Sequence, residues 1–290
     1  MKKLLSLAVA IAVSAPAMAD IYTDVNYKHS KHDVREAAAK VGYVMDNGLS
    51  FDLENVYDFK NKKNKEVTLG TAWKFDVVEN GYIQPLAEVT FATNNSSHKF
   101  DEASKFFGDA LDDKTFSITE KNKNGNTYKI GLKGGYEFDN GIYTSLRYRY
   151  EMNDSSWKLD ANGTYDKKPV GATLLSKEDA SRLHRTDLTV GYVIEDMADL
   201  SVNWIYKTGS TKIKGELLDL GKADITKLRA SSSDIEFKAA ANGLGDFVPY
   251  VQYTIKTSEK VKGFDVHGLE GEAFKNKREN EIKVGLVYNF

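Results

Sequence analysis

The sequence predicts an all-β fold, a transmembrane antiparallel up-and-down β-barrel of about twelve strands. Three observations predict it. An export signal opens the chain. Behind it, segments of roughly ten residues alternate apolar and polar side chains, the length a tilted strand needs to cross a bilayer. The connections between those segments alternate between short turns and long polar stretches, as they do in a barrel with short periplasmic turns and longer outer loops.

The export signal comes first. Lys2 and Lys3 precede an apolar run over 4–13, followed by small residues at Ala17 and Ala19. This predicts a secretory signal peptide over 1–19, cut before Asp20, and an outer-membrane β-barrel over 20–290. The apolar run is too short for a spanning helix, and a mean hydropathy of -0.47 is too polar for a helical membrane protein. Losing Lys2 and Lys3 takes the formal charge from -2 to about -4, and no basic block suggests a nucleic-acid partner. The chain has no cysteine, so an exported fold cannot rely on disulfides, and there is no thiol chemistry or lipoprotein anchor at the cleavage point. Sixteen tyrosines against four prolines suit strands and membrane interfaces.

Successive side chains of a strand point to opposite faces, so alternation assigns each residue to lipid or lumen. Strand one, 21–30, puts out Ile21, Thr23, Val25 and Tyr27. Strand two, 35–45, puts out Ala37, Ala39, Val41, Tyr43 and Met45, and Asp46-Asn47-Gly48 turns it, Asn-Gly taking positive φ cheaply. Strand three, 49–60, sets Leu49, Phe51, Leu53, Tyr57 and Phe59 against Ser50, Asp52, Glu54, Asp58 and Lys60. Strand four, 66–76, carries Val67, Leu69, Trp73 and Phe75, and Glu79-Asn80-Gly81 turns it. Strand five, 82–92, carries Ile83, Ala87, Val89 and Phe91. Pro85 lacks a ladder donor there and predicts a bulge or distorted register.

The clearest hairpin is 126–151, strands six and seven around Asp139-Asn140-Gly141. Tyr128, Ile130, Leu132, Tyr136 and Phe138, with Ile142, Leu146, Tyr148 and Tyr150, share the greasy face. Strands eight to twelve follow at 185–194, 200–207, 234–241, 247–256 and 281–290. The last ends on outward Phe290, and Pro249 leaves the register of strand eleven open. The long connections are 93–125, 152–184, 208–233 and 257–280. Only those near His32 and Lys62 are brief on that side.

Catalytic patterns are absent: there is no GxSxG, HExxH, P-loop or cysteine nucleophile. The five histidines fall in or beside loops, and His29 with His32 suits a solvated surface better than a zinc site. Ser145 and His184 are the nearest pair to a nucleophile and base. The sequence therefore points away from an enzyme and implies no cofactor or metal.

The lumen faces carry the functional signal. Lys129, Lys133, Arg147, Arg149, Arg185, Lys207 and Lys238 lie on strands six to ten, and Lys283 on strand twelve. Asp52, Glu54 and Asp58 lie on strand three, so one wall is basic and part of the opposite wall acidic, a field that guides charged solutes. Arg147 and Arg149 stand one above the other, each able to grip a carboxylate with two donors. The competing expectation is structural: cross-strand pairs such as Arg147 with Glu137 or Asp187 would only rigidify a narrow barrel.

The stretch TYKIGLKGGYEFDNGIYTSLRYRYE (127–151) resembles the oligogalacturonate-specific porin family, which includes the N-acetylneuraminate channel. So do YKHSKHDVREAAAKVGYVMDNGLSFDLE (27–54), RTDLTVGYVIEDMADLSVNWIYK (185–207) and KVGLVYNF (283–290). The resemblance implies a monomeric twelve-stranded channel in outer-membrane lipid that passes small acidic saccharides without energy input. Arg147 and Arg149 become lumen arginines, with Lys129 and Lys133 beside them. Longer outer loops and a lumen richer in lysine and acids depart from the family pattern. The alternatives are a structural or adhesive barrel acting through its long loops, a general porin without sugar preference, and, third, an outer-membrane hydrolase.

Overall fold

The computed structural model describes residues 19–31, 34–93, 95–100, 117–123, 125–154, 156–165, 168–176, 181–217, 221–264 and 274–290. The expected signal segment, apart from Ala19, and His32 lie outside them. The strands are β1 (Ala19–Ser30), β2 (Arg35–Met45), β3 (Leu49–Asp58), β4 (Lys63–Trp73), β5 (Phe75–Val78), β6 (Gly81–Ala92), β7 (Asn95–Phe100), β8 (Ser117–Lys123) and β9 (Thr127–Glu137). They continue as β10 (Ile142–Asn153), β11 (Ser156–Tyr165), β12 (Lys168–Ser176), β13 (Ser181–Ile194), β14 (Ala198–Leu217), β15 (Gly221–Ala241), β16 (Phe247–Lys256), β17 (Glu259–Phe264), β18 (Phe274–Asn276) and β19 (Glu281–Asn289).

The wall runs β1, β2, β3, β4 continued by β5, β6, β9, β10, β13, β14, β15, β16 and β19, every pairing antiparallel. β19 returns to β1, with Tyr22 opposite Asn289 and Ser30 opposite Glu281, so the twelve-stranded sheet closes and has no free edge. The Phe290 N–H donates to the Ile21 carbonyl at 2.9 Å and seals the seam at the turn end.

Closure explains the inverted distribution of apolar groups. Val25, Leu69, Ile130, Leu132, Leu146, Val190 and Val284 all face out and are exposed, because lipid rather than protein covers them. Aromatic residues flank this band at both ends. At the turn end, Trp73–Phe75, Tyr136–Phe138 and Tyr288–Phe290 rings meet at 4.6, 4.9 and 4.7 Å. At the loop end, Tyr57–Phe59 and Tyr150–His184 meet at 5.1 Å. Two belts of amphipathic rings mark the two membrane interfaces.

The short turns form where expected, by a different device. Within the two Asp-Asn-Gly turns only Gly48 and Gly141 take positive φ, 81° and 83°, and each N–H bonds back to the residue three before it, whereas at 79–81 it is Asn80 that takes positive φ, at 62°. Asn47 and Asn140 stay at negative φ and use their side chains. Their Oδ1 atoms accept from Leu49 and Ile142 N–H at 3.0 and 3.1 Å. These are three-residue loops ending in a glycine bulge, not two-residue Asn-Gly turns.

Two further expectations are corrected. Pro85 causes no bulge. It sits opposite Leu132 in an unshifted β6–β9 ladder, and Ala72–Leu86 and Phe75–Ile83 keep one register on its other side. The missing donor is accommodated by the break at Lys74 between β4 and β5, and the register shift lies nearer the turn, between Asp76 and Val78. Pro249 likewise sits in register opposite Leu286, just past the last β15–β16 pair, Ala240–Tyr250. The described parts of the long connections are also not loops. β7, β8, β11 and β12 pair in series onto β14, β14 and β15 run on as a ribbon to Leu217–Gly221, and β17 pairs β15. Extending the sheet satisfies backbone groups that a loop would have to expose.

Candidate functional site

The lumen is built from the inward positions of twelve strands, and its charges follow from register. Arg149 on β10 stands opposite Arg185 on β13, which stands opposite Lys207 on β14. One level nearer the turns, Lys133, Arg147 and Asp187 form a row across β9, β10 and β13. Like charges side by side repel, and each of these cations except Lys133 meets an acid.

They do so in a repeated pattern, with two cations converging on one carboxylate. Glu88 on β6 takes Lys129 Nζ at 2.9 Å and Arg149 at 3.4 Å. Asp187 takes Arg147 Nε at 2.9 Å on one oxygen and Arg185 at 2.7 Å on the other. Asp234 takes Lys207 at 3.3 Å and Arg278 as a two-bond fork at 2.6 and 3.0 Å. Arg149 also meets Glu151 at 3.0 Å. A fourth convergence lies on β1, β2 and β4, where Lys28 and Lys65 each reach Glu36 at 2.8 Å.

The depth of these groups decides what a solute meets. The Asp187 and Asp234 side chains are 3% and 2% exposed, whereas those of Arg147 and Lys207 are 30% and 26% exposed. At Asp187 and Asp234 the acid lies against the wall with its cations above it, whereas at Glu88 the order is reversed and the acid is the more exposed partner. Among the described residues of the three convergences on β6 to β15, six cations face four carboxylates, a surplus of two positive charges. Arg149 is the least accessible of the six, and its buried Nε–H has no acceptor. Its stem crosses β9 over Gly131, where an added Cβ would meet Arg149 Cγ at 2.7 Å and the Tyr148 carbonyl at 2.5 Å.

The other expected pore residues differ in kind. Lys133 and Lys238 have no ion pair among the described residues. Their ammonium groups lie 5.4 Å and 4.7 Å from the ring centres of Tyr82 and Tyr250. Lys283 stands in register between Lys28 and Gln252. The acidic strand β3, with Asp52 and Glu54, is six strands from β14 in both directions round the wall, so it lies opposite Lys207. Its charge is partly offset: Lys40 bridges Asp52 at 3.1 Å. Of the two partners the sequence offers Arg147, the structure selects Asp187, whereas Glu137 lies opposite Tyr143. Ser145 and His184 are not brought together. Ser145 faces the lumen and His184 faces out, where its Nδ1 bonds the Tyr148 hydroxyl at 2.6 Å.

Two features carry no signal the sequence pattern could rank. Arg278 lies in the connection before β19, outside any alternating segment, and only the fold brings it to Asp234. The second is a set of lumen tyrosines laid over glycines on the next strand: Tyr22 on Gly42, Tyr82 on Gly135, Tyr143 on Gly191 and Tyr250 on Gly285. Its trace in the sequence is a recurring glycine near each turn, as in Val41-Gly42-Tyr43 and Val190-Gly191-Tyr192. At the turn end these groups open a cavity of about 670 Å³ lined by Tyr82, Lys133, Tyr143, Arg147, Asp187 and Asp199, among others.

No protein-family model matches the chain, and no curated protein matches it. Its structural neighbours among solved proteins include porins. The KdgM porin is 12% identical, with 93% of this chain and 99% of that one covered at a TM-score of 0.52. The same porin in complex with disordered oligogalacturonate gives 11% identity, 93% and 99% coverage and 0.51. The NanC porin is 14% identical, with 92% and 98% covered at 0.51. The family resemblance noted in the sequence is thus matched at the level of fold. With its lipid-facing band and two aromatic belts, the protein is a porin-type barrel of the bacterial outer membrane.

Proposed function

We propose that the protein is a passive diffusion channel for small anionic oligosaccharides, oligogalacturonate or other acid sugars. One observation carries the reading: at Asp187 and Asp234 two cations share each carboxylate and lie above it, toward the solute. A sugar carboxylate approaching Arg147 or Lys207 meets donors whose existing partner is beneath, so it exchanges water for a charge-assisted bond without breaking into the wall. The next cation is one row away, so the bond can be handed on and the sugar leaves as readily as it enters. Support also comes from the neighbour solved with oligogalacturonate. The channel works as a monomer embedded in outer-membrane lipid, with no cofactor and no energy input.

The test is single-channel conductance of the refolded protein in a salt gradient, with galacturonate oligomers added, repeated for Arg147→Ala plus Arg149→Ala. Anion selectivity, block by acid sugars and loss of block in the variant are the expected results. A folded barrel that conducts cations and ignores acid sugars leaves only a general porin. A second reading, an adhesive barrel, draws on the β14–β15 ribbon, 20 and 21 residues long and far beyond a membrane crossing. A barrel that does not conduct, but loses surface adhesion when that ribbon is shortened, would favour it.

A further inference from the structure

The four tyrosines laid over glycines are not scattered. Each starts within four residues of the turn end of its strand: Tyr22 on β1, Tyr82 on β6, Tyr143 on β10 and Tyr250 on β16. In the twelve-strand ring, β6 and β16 are six strands apart in both directions, and so are β1 and β10. Tyr82 therefore faces Tyr250 across the turn-side mouth, and Tyr22 faces Tyr143. Because each ring lies over a residue without a side chain, it lies along the wall; Tyr82 is half-buried, and Tyr250 is buried beneath Lys238.

The Tyr82–Tyr250 pair differs from the other. Lys133 stands over Tyr82 at 5.4 Å, beside a nearer Lys74 at 4.6 Å that also reaches Asp76, and Lys238 stands over Tyr250; neither Lys133 nor Lys238 has a carboxylate partner among the described residues. These ammonium groups contrast with the converging cations deeper in the lumen, whose charge is already shared with an acid. A cation over a ring is held less firmly than one bonded to a carboxylate. A carboxylate in reach would draw it aside and expose the ring beneath.

We propose that the turn-side mouth is a second saccharide site, in which a uronate unit places its carboxylate on Lys133 or Lys238 and the apolar C–H face of its ring on Tyr82 or Tyr250. The proposal rests on the channel reading above and deepens it. The ligand is a pyranose acid, recognised by ring and charge together, whereas the deeper convergences recognise charge alone. The cavity holding Tyr82, Lys133 and Arg147, at about 670 Å³, has the size of a small-molecule site and offers Ser145 and Thr189 hydroxyls as further partners.

The test uses the full-length folded channel in planar bilayers, with a galacturonate trimer added to one side at a time. Lys133→Met plus Lys238→Met keeps the rings and removes these two cations, leaving Lys74. Tyr82→Leu plus Tyr250→Leu keeps all charges and removes the rings. Each pair should weaken block from the turn side at least tenfold and block from the loop side by less than threefold. Heat-dependent gel migration shows which variants remain folded barrels, and the lysine pair decides the matter if the leucine pair does not fold. Unchanged turn-side block in a folded variant pair overturns the second site. If Arg147→Ala plus Arg149→Ala abolishes block in the same experiment, the channel reading survives that failure. A parent channel that the trimer does not block from either side overturns both.

Discussion

Asp187→Asn separates holding the wall from reading the solute, because the two roles respond with opposite signs. Asp187 is buried and accepts Arg147 Nε at 2.9 Å and Arg185 Nε at 2.7 Å. Asparagine keeps the shape and one acceptor oxygen, so about one charge-assisted bond is lost, roughly 1.5–3 kcal/mol. The 3–5 kcal/mol typical of a stranded buried charge does not apply, because both arginines reach lumen water. Selectivity moves the other way. Twelve strands about 4.8 Å apart and tilted by about 40° close a cylinder of radius roughly 12 Å. A carboxylate 3–4 Å in from that wall is about 8 Å from the axis. One unit charge there is worth about 0.5 kcal/mol in water, roughly twofold in ion occupancy and about fivefold in the anion-to-cation ratio. Screening over a Debye length of about 8 Å leaves about twofold at physiological salt. Asp187→Asn should therefore unfold at lower urea while its reversal potential moves toward the anion, more strongly at low salt. A variant that is destabilised yet unchanged or more cation-selective would refute the claim that the cations above Asp187 face the permeating solute.

Three further outcomes test the facing of the wall and the origin of the site. Leu132→Arg, at the middle of β9 and 51% exposed to lipid, should cost about 2–4 kcal/mol in reversible folding into bilayers. A neutral result would mean that face is not against lipid. Gly131→Ala should cost about 1–3 kcal/mol, since its Cβ would meet backbone and the Arg149 stem, and should weaken acid-sugar block by displacing Arg149 from Glu88. Arg278→Ala leaves Asp234 with Lys207 alone. It should lower stability by about 1.5–3 kcal/mol and slow acid-sugar association from the loop side, read from blocking rates at increasing concentration.

The barrel is legible in the sequence because lipid enforces strict alternation. β2 spans Arg35–Met45 and β16 spans Phe247–Lys256, the bounds that alternation and turn residues predict. The turns at Gly48 and Gly141 fix the registers of β2–β3 and β9–β10, whereas the Arg147–Asp187 pair spans β10–β13, which no short turn joins, and so stays one of two alternatives in the sequence. Alternation fails outside the membrane, where no lipid imposes it, so β7, β8, β11 and β12 are read as loops although they extend the sheet. Arg278 fails for the same reason: its role depends on a chain segment folding back over the wall, which no periodicity records. The tyrosines over Gly42, Gly135, Gly191 and Gly285 leave a sequence trace, but it is a relation between strands rather than within one.

Whether paired charges make a plug or a path depends on stoichiometry and depth rather than on the number of pairs. A lumen in which every cation owned one equally exposed acid would present no net field, and a solute carboxylate would compete with a fixed one of the same strength. Here the acids at Asp187 and Asp234 are each divided between two cations and lie out of the solute's reach. Each cation is therefore held firmly enough to keep its place, while the charge it shows the lumen is only partly offset. The shared acid also limits how tightly any one sugar binds, since Arg147 gives up none of its bond to Asp187 when a second carboxylate arrives from above. Rigidity and weak, repeated anion binding then come from the same side chains. That combination lets a solute enter, dwell briefly and pass on.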